Sequence, residues 1–418
     1  MRTSRLPGFY KMSINERRRE LKNFANLTDE DLKLLDGGLE ISLADKMVEN
    51  VVGIFPIPLG IAVNFRINGK DYLIPMVIEE PSVIAAASHA AKLALPEGFI
   101  AECTRSIMRG QIQVLNVPNP NKAINDILKF KSELIERANS FAKSLVEVGG
   151  GVRDVNARII GPSNDEMLIV EFFVDCKDAM GANTVNTIVE GMAPDIEAIT
   201  GGSVLLRIIS NLATERIVRA KVVYKKEVIG EKIIDDIIKA YKFACYDVYR
   251  ATTHNKGIMN GIIAIALATA NDTRAIEAGA HAYASLSGRY LPLSRWYKNE
   301  KDDLVGELEM PLAVGTVGGA IGAHPLARLS LKILGIKTAK ELAEIMCAVG
   351  LAQNFAALRA LVTEGIQRGH MELHARNIAI MVGAKGDLVD KIAEIMVRER
   401  DITPKRAKEI LDLIKSSS

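Results

Sequence analysis

Aromatic side chains are scarce in this sequence: they make up 5% of its 418 residues, with a single tryptophan. A surface that stacks bases needs rings in number, so this poverty argues against a nucleic-acid partner. Net charge is also small, +2 with no basic block, so acidic partners must be met by local sites rather than by a global field. Only four cysteines occur, Cys103, Cys176, Cys245 and Cys347, and no two form a CxxC pair. That argues against a disulfide framework and a cysteine zinc site, and it fits a reducing cytoplasm. The longest apolar run, Ile262 to Ala270, is too short to span a bilayer, and the N-terminal MRTSRLPGFYKMS has no apolar stretch, so a soluble protein without a membrane partner is expected. What is plentiful is aliphatic: hydrophobic residues reach 48%, which favours close-packed, alanine-rich helices over two or three domains.

Along the chain, residues 14–50 read as polar helices with Asn26, Thr28 and Asp29 as cap and turn residues. NFRINGKDYLIPMVIEE alternates about Asn68-Gly69, a strong hairpin signal, and delivers Glu79 and Glu80 to a strand-to-helix corner before SVIAAASHAAKLAL. The middle switches period in order: QIQVLNV (111–117) as strand, 123–145 as one long amphipathic helix, VRDVNARII and MLIVEFFVD as strands about GPSND, a helix over NTVNTIVEGMAPDIEAI with a kink expected at Pro194, and SVLLRIIS as the last strand. This β-α-β-β-α-β order is that of ferredoxin-like domains and places a small domain at about 107–212, inserted in a larger one. From 231 onward the chain reads as mostly helical, with glycine-rich GTVGGAIGAHP, a small module after RGHMELHARN, and a last helix capped by Thr403 with Pro404 at its first position.

Four segments carry residues fit for chemistry. Glu80 ends an apolar strand next to a proline, and burial there would raise its pKa enough to donate a proton near neutrality; a solvated strand end is the plainer reading. Lys256, in the small-residue segment THNKGIMNG, can neutralise a developing oxyanion, and Asp272 in ANDTRAIEAGAH would keep that lysine charged; an ordinary salt bridge is the alternative. His370 and His374 share a helix face at i, i+4, but the pattern is not HExxH and no third ligand is evident, so one as general acid and the other as structural fits better than zinc. In DAMGANTVN, Asp178 to Asn186, small residues open a helix, so backbone N–H groups can approach an anion; a tight turn before a helix explains them equally well. GTVGGAIGAHP allows a close backbone approach, either to a ligand or to another helix.

Taken together, ENVVG (49–53), EEPS (79–82), DAMGAN (178–183), THNKGIMNG (253–261), ANDTRAIEAGAHAYA (270–284), GTVGGAIGAHPLA (315–327) and EGIQRGHMELHARN (364–377) resemble the 3-hydroxy-3-methylglutaryl-coenzyme A (HMG-CoA) reductases, in their soluble class II form. The resemblance covers nearly the whole chain. It implies an α+β fold: a large, mainly helical catalytic domain (1–106 and 213–365), an inserted ferredoxin-like dinucleotide-binding domain (107–212) and a C-terminal helical flap (366–418). It implies a four-electron reduction of HMG-CoA to mevalonate and coenzyme A with two reduced nicotinamides and no metal. The family's catalytic glutamate, lysine, aspartate and histidine match Glu80, Lys256, Asp272 and His370, the last protonating the coenzyme A thiolate. Ser82, Arg250, Asn260 and Gln353 match its HMG-contacting positions. ENVVG resembles its dimerisation motif, which implies a homodimer or an assembly of dimers with active sites at the subunit interface.

The cofactor site is expected at Asp178, Met180, Gly181, Ala182 and Asn183. Where NADH-preferring members of the family carry an aspartate for the adenosine ribose, the resemblance places Ala142, followed by Lys143 and Ser144. An aspartate would repel a 2′-phosphate and Ala-Lys-Ser could accept one, so NADPH is expected over NADH. A zinc-dependent acyl-CoA thioester hydrolase built on His370 and His374, or a non-catalytic acyl-CoA-binding protein, are the alternatives.

Overall fold

Both central residues of the Asn68-Gly69 turn have positive φ, 50° and 76°, and the turn pairs β1 (Leu59–Ile67) with β2 (Lys70–Val77) as its sequence predicts. The computed structural model describes residues 3–363 and 365–416, with backbone alone for 366–373. The remaining strands are β3 (Phe99–Cys103), β4 (Ile107–Leu115), β5 (Gly151–Ile160), β6 (Met167–Asp175), β7 (Ser203–Ser210), β8 (Ile217–Tyr224), β9 (Ser294–Lys298) and β10 (Leu304–Pro311). They form a six-stranded sheet, β2-β1-β3-β8-β10-β9, and a four-stranded sheet, β5-β6-β4-β7.

The four-stranded sheet is antiparallel and has the strand order of a ferredoxin-like domain. The single helix expected over 123–145 is instead three, Pro120–Lys129, Lys131–Asn139 and Lys143–Glu147. Periodicity alone could not show the breaks. Phe130 and Ala142 leave helical geometry, and the carboxamide of Asn139 turns to β5, accepting the Val152 N–H at 2.7 Å. The helix Ala182–Thr200 runs through Pro194 as one element.

The chain after 231 is mostly helical, as expected, but β9 and β10 interrupt it, and with β8 just before that stretch they complete the larger sheet. In β8, Val218, Ala220 and Val222 point into the core while Arg219 and Lys221 point out, a period of two that is legible in the sequence. Against the core face lies the helix Ala339–Val362, opened by a Thr338–Glu341 capping box. It is long and apolar enough to cross a membrane, yet 67% of its most apolar window is buried as the fold's central helix. The C-terminal residues form three helices, Ile366–Met381, Asp387–Glu399 and Pro404–Ser416, around a core that includes Ile378, Ile392, Met396 and Ile410. Thr403 caps the last of them, its hydroxyl accepting the Arg406 N–H at 3.2 Å.

Candidate active site

β2 ends at Val77 and a helix begins at Val83, so Glu80 stands in the short corner between them. Ser82 closes this corner at φ 74, a left-handed backbone that a residue with a Cβ adopts only where its surroundings enforce it. Across the corner the Lys256 ammonium donates to Glu80 Oε2 at 3.0 Å. The side chains are 59% and 39% exposed, respectively. Glu80 is therefore half-buried rather than enclosed within the chain: it stands beyond the end of β2, and among the described residues β2 is an edge strand.

Lys256 is positioned by the helix Val248–Ala268, whose start is capped by the Asp247 carboxylate accepting the Arg250 N–H at 2.7 Å. Asn255 is buried, donating to the Leu291 carbonyl and accepting the Leu293 N–H, both at 2.9 Å. The helix also crosses the central helix closely: a Cβ on Gly350 would sit 2.8 Å from Ile262. It therefore cannot slide, and Lys256 projects from a fixed base. Arg250 is half-buried, burial lowers its pKa, and no carboxylate pairs with it among the described residues. Asn260 is half-buried on the same helix. Gln353 is 6% exposed, packs against Gly261, and leaves its Oε1 without a partner among the described residues.

Asp272 lies apart from that pair. Its carboxylate caps the helix Thr273–Ala284 through the N–H groups of Arg274 and Ala275, at 3.0 and 3.1 Å, and pairs with the Arg274 guanidinium at 3.1 Å. The coupling of Asp272 to Lys256 expected from sequence is thus not formed inside one chain, because helix capping and Arg274 engage the carboxylate.

Asn271, next to it, was missed by sequence reasoning and is the tie between three motifs. Its carboxamide accepts the Gly315 N–H at 2.7 Å and donates to the Gly315 carbonyl at 3.1 Å. Thr316 N–H in turn donates to the Asp178 carbonyl at 2.9 Å. Arg216, almost fully buried, donates to the carbonyls of Ala179, Met180 and Val314. No sequence signal marks Arg216. The ANDT, GTVGG and DAMG segments are consequently one assembly.

Gly315 is where that assembly is tightest, since a Cβ there would lie 2.8 Å from the Met180 backbone nitrogen. Gly315→Ala is expected to displace the DAMG loop at a cost of about 1–3 kcal/mol. A thermal melt and a KM for the nicotinamide measured on one preparation check this: both should worsen together.

Of the remaining cofactor candidates, Asp178 has a structural task, its carboxylate accepting the Ala339 N–H at 2.9 Å. Met180 and Ala182 are half-buried and Asn183 is exposed. Gly181, at φ 108, heads the helix Ala182–Thr200 without a side-chain cap, leaving that end's N–H groups open to an anion. Ala142 is buried among small-domain residues, so it can touch nothing outside; Lys143 and Ser144 are exposed beside it. His370 lies on the helix Ile366–Met381, its side chain outside the described residues, and His374 is exposed.

Residues 13–375 match the hydroxymethylglutaryl-coenzyme A reductase family. The chain belongs to this family. It is 58% identical to the HMG-CoA reductase of Archaeoglobus fulgidus, over 99% of this chain and 95% of that protein. It is 36% identical to a probable HMG-CoA reductase of Borreliella burgdorferi, over 92% and 88% of the two chains. The class II HMG-CoA reductase of Streptococcus pneumoniae, solved bound to NADPH in open conformations, superimposes with a TM-score of 0.83 at 44% identity, covering 85% of this chain and 99% of that one. Membership makes the chain an NAD(P)H-dependent oxidoreductase and removes the zinc hydrolase from consideration. Among the described residues no three metal-ligating side chains gather.

Proposed function

We propose that the Glu80–Lys256 corner is the reducing centre of this HMG-CoA reductase, where the thioester is taken to mevalonate and coenzyme A is released. The observation that carries this is the 3.0 Å contact between two side chains 176 residues apart, at a corner held by the left-handed Ser82. Each reduction puts negative charge on a carbonyl oxygen. Lys256 stabilises that oxygen from its fixed helix, and Glu80 supplies the proton. Arg250, Ser82, Asn260 and Gln353 hold the acyl group, with the unpaired guanidinium of Arg250 facing its carboxylate. His370, carried on the helix Ile366–Met381, protonates the departing thiolate.

The dinucleotide fits over Gly181, where any Cβ would collide with Cys176 and where the helix N–H groups are uncapped. Bound there, the reduced nicotinamide supplies the hydrides. We assign NADPH over NADH because Ala142 brings no carboxylate and Lys143 and Ser144 are exposed beside it; the solved relative from Streptococcus pneumoniae binds NADPH. The bodies that carry the two halves of the site are 1–106 with 213–365 and 107–212, with 366–418 as the flap. The working compartment is the cytoplasm, in keeping with four free thiols.

A second copy completes the site. Glu80 with Lys256 and Asp272 with the DAMG loop are two separate patches of one chain, and in a homodimer, or an assembly of dimers, the Asp272 patch of one chain faces the Lys256 patch of the other. The segment after Met47 supports a partner: Val52 is 101% and Phe55 88% exposed, apolar side chains that their own chain does not cover.

The test is loss of reduced-nicotinamide absorbance with HMG-CoA, run with NADPH and NADH side by side. Turnover with NADPH preferred is expected, and Lys143→Ala should narrow that preference by about tenfold, the scale of one charge-assisted contact. An NADH preference would remove the cofactor assignment and keep the reaction.

A further inference from the structure

The helix that carries Lys256 also carries a buried histidine whose hydrogen bonds leave one ring nitrogen unused. His254 is 2% exposed. Its Nε2 lies 2.7 Å from Ser294 Oγ and 3.2 Å from Asn354 Nδ2, while Asn354 Oδ1 lies 2.7 Å from Trp296 Nε1.

These contacts fix the protons in turn. An indole nitrogen only donates, so Asn354 must turn its oxygen to Trp296 and its N–H to His254. Nε2 is then an acceptor. The Ser294 hydroxyl, which donates to Asn354 Oδ1 at 2.9 Å, shares its proton with the imidazole at 2.7 Å. The one proton of the neutral ring therefore sits on Nδ1, which is buried and has no partner among the described residues. Burial, with the nearby charge of Arg250, holds the histidine pKa down to about 3, so the ring stays neutral at working pH.

A buried donor without an acceptor is rare in a folded protein and asks for an explanation. The charge of Arg250 acts on the same ring. Arg250 stands one helical turn before His254, and a helical side chain leans toward the N-terminus, over the preceding turn. No carboxylate pairs with Arg250 among the described residues. The acyl substrate of the reaction proposed above ends in a carboxylate, which is the acceptor that a guanidinium and a neutral N–H together would recognise.

We propose that the Nδ1–H of His254 is a second donor, beside Arg250, to the carboxylate of the acyl substrate, and that the Trp296–Asn354 relay exists to keep the proton on that nitrogen. The inference rests on the reading of the Glu80–Lys256 corner as the HMG-CoA site. It adds a hydrogen bond without adding a second positive charge beside Lys256.

Two substitutions separate this from a purely structural brace. In His254→Asn the amide nitrogen falls near the place of Nδ1, keeping the donor and losing the link to Asn354; His254→Gln does the reverse. His254→Gln is expected to raise KM for HMG-CoA, and Kd for free 3-hydroxy-3-methylglutarate by calorimetry, about tenfold, with KM for the nicotinamide and kcat little changed. His254→Asn should bind both within about threefold of the unsubstituted protein. Equal losses in the two variants, or a larger loss in His254→Asn, would overturn the proposal.

The calorimetric arm reads the donor without turnover. A protein that binds the free diacid but oxidises no nicotinamide would sink the catalytic reading and leave the comparison of variants standing. One that binds no diacid would overturn the inference itself. Should either variant fail to fold, nitrogen-15 spectra of the unsubstituted protein decide: a buried histidine protonated at Nδ1, whose N–H resonance moves on adding the diacid, supports the proposal, and a proton on Nε2 refutes it.

Discussion

Lys256→Ala is expected to lower kcat for HMG-CoA reduction by about a hundred- to a thousandfold, the loss that follows removal of one fixed donor to a developing oxyanion. The fold should hardly notice. Lys256 is 59% exposed and its pair with Glu80 is solvated, so stability should change by no more than about 1 kcal/mol. KM for HMG-CoA should move much less than kcat, because the ammonium acts on charge that appears only in the transition state. Lys256→Arg should not restore the rate, since a planar fork on a longer stem places its donors elsewhere. Steady-state kinetics with a thermal melt on the same preparation check all of this. A lost rate accompanied by a large fall in melting temperature would mean that the lysine serves the fold instead.

The second large effect concerns Asp272, which its own helix and Arg274 hold away from Lys256 within one chain. Lys256→Ala and Asp272→Ala proteins, each nearly inactive alone, should recover activity when mixed under conditions that exchange subunits. Half of the re-formed dimers are mixed, and in each the intact Lys256 of one chain meets the intact Asp272 of the other at one of two sites. Recovery should therefore approach about a quarter of the unsubstituted activity, as statistical pairing in a twofold dimer requires. If Asp272 served the Lys256 of its own chain, every chain would carry a dead site and mixing would recover nothing.

How much of this was legible in the sequence depends on how local the cause is. The Asn68-Gly69 hairpin, the Thr28 and Thr403 caps and the β-α-β-β-α-β order were readable because turn chemistry, capping and hydrophobic period act over a few residues. The ion pair of Glu80 and Lys256 was legible as two candidate groups, and their meeting only through family resemblance, since 176 residues separate them. The breaks at Phe130 and Ala142 were hidden, because a carboxamide reaching another strand overrides an amphipathic period. β8 alternates cleanly and was legible, but it was passed over beside the stronger helical segments that follow. Arg216 and Asn271 were out of reach, since nothing local distinguishes an arginine that will bond three carbonyls in the core from one that will face water. The exposure of Glu80 has the same origin: strand order decides which corner lies at an edge, and strand order is a property of the whole sheet.

The central claim is that one corner, Glu80 with Lys256, carries out two successive hydride reductions of a thioester. The most direct measurement is the ratio of nicotinamide oxidised to coenzyme A thiol released in a single reaction with HMG-CoA, the thiol being titrated as the absorbance falls. The account predicts two nicotinamides for each thiol, with both signals lost together in Lys256→Ala. Thiol released without nicotinamide oxidation would contradict it.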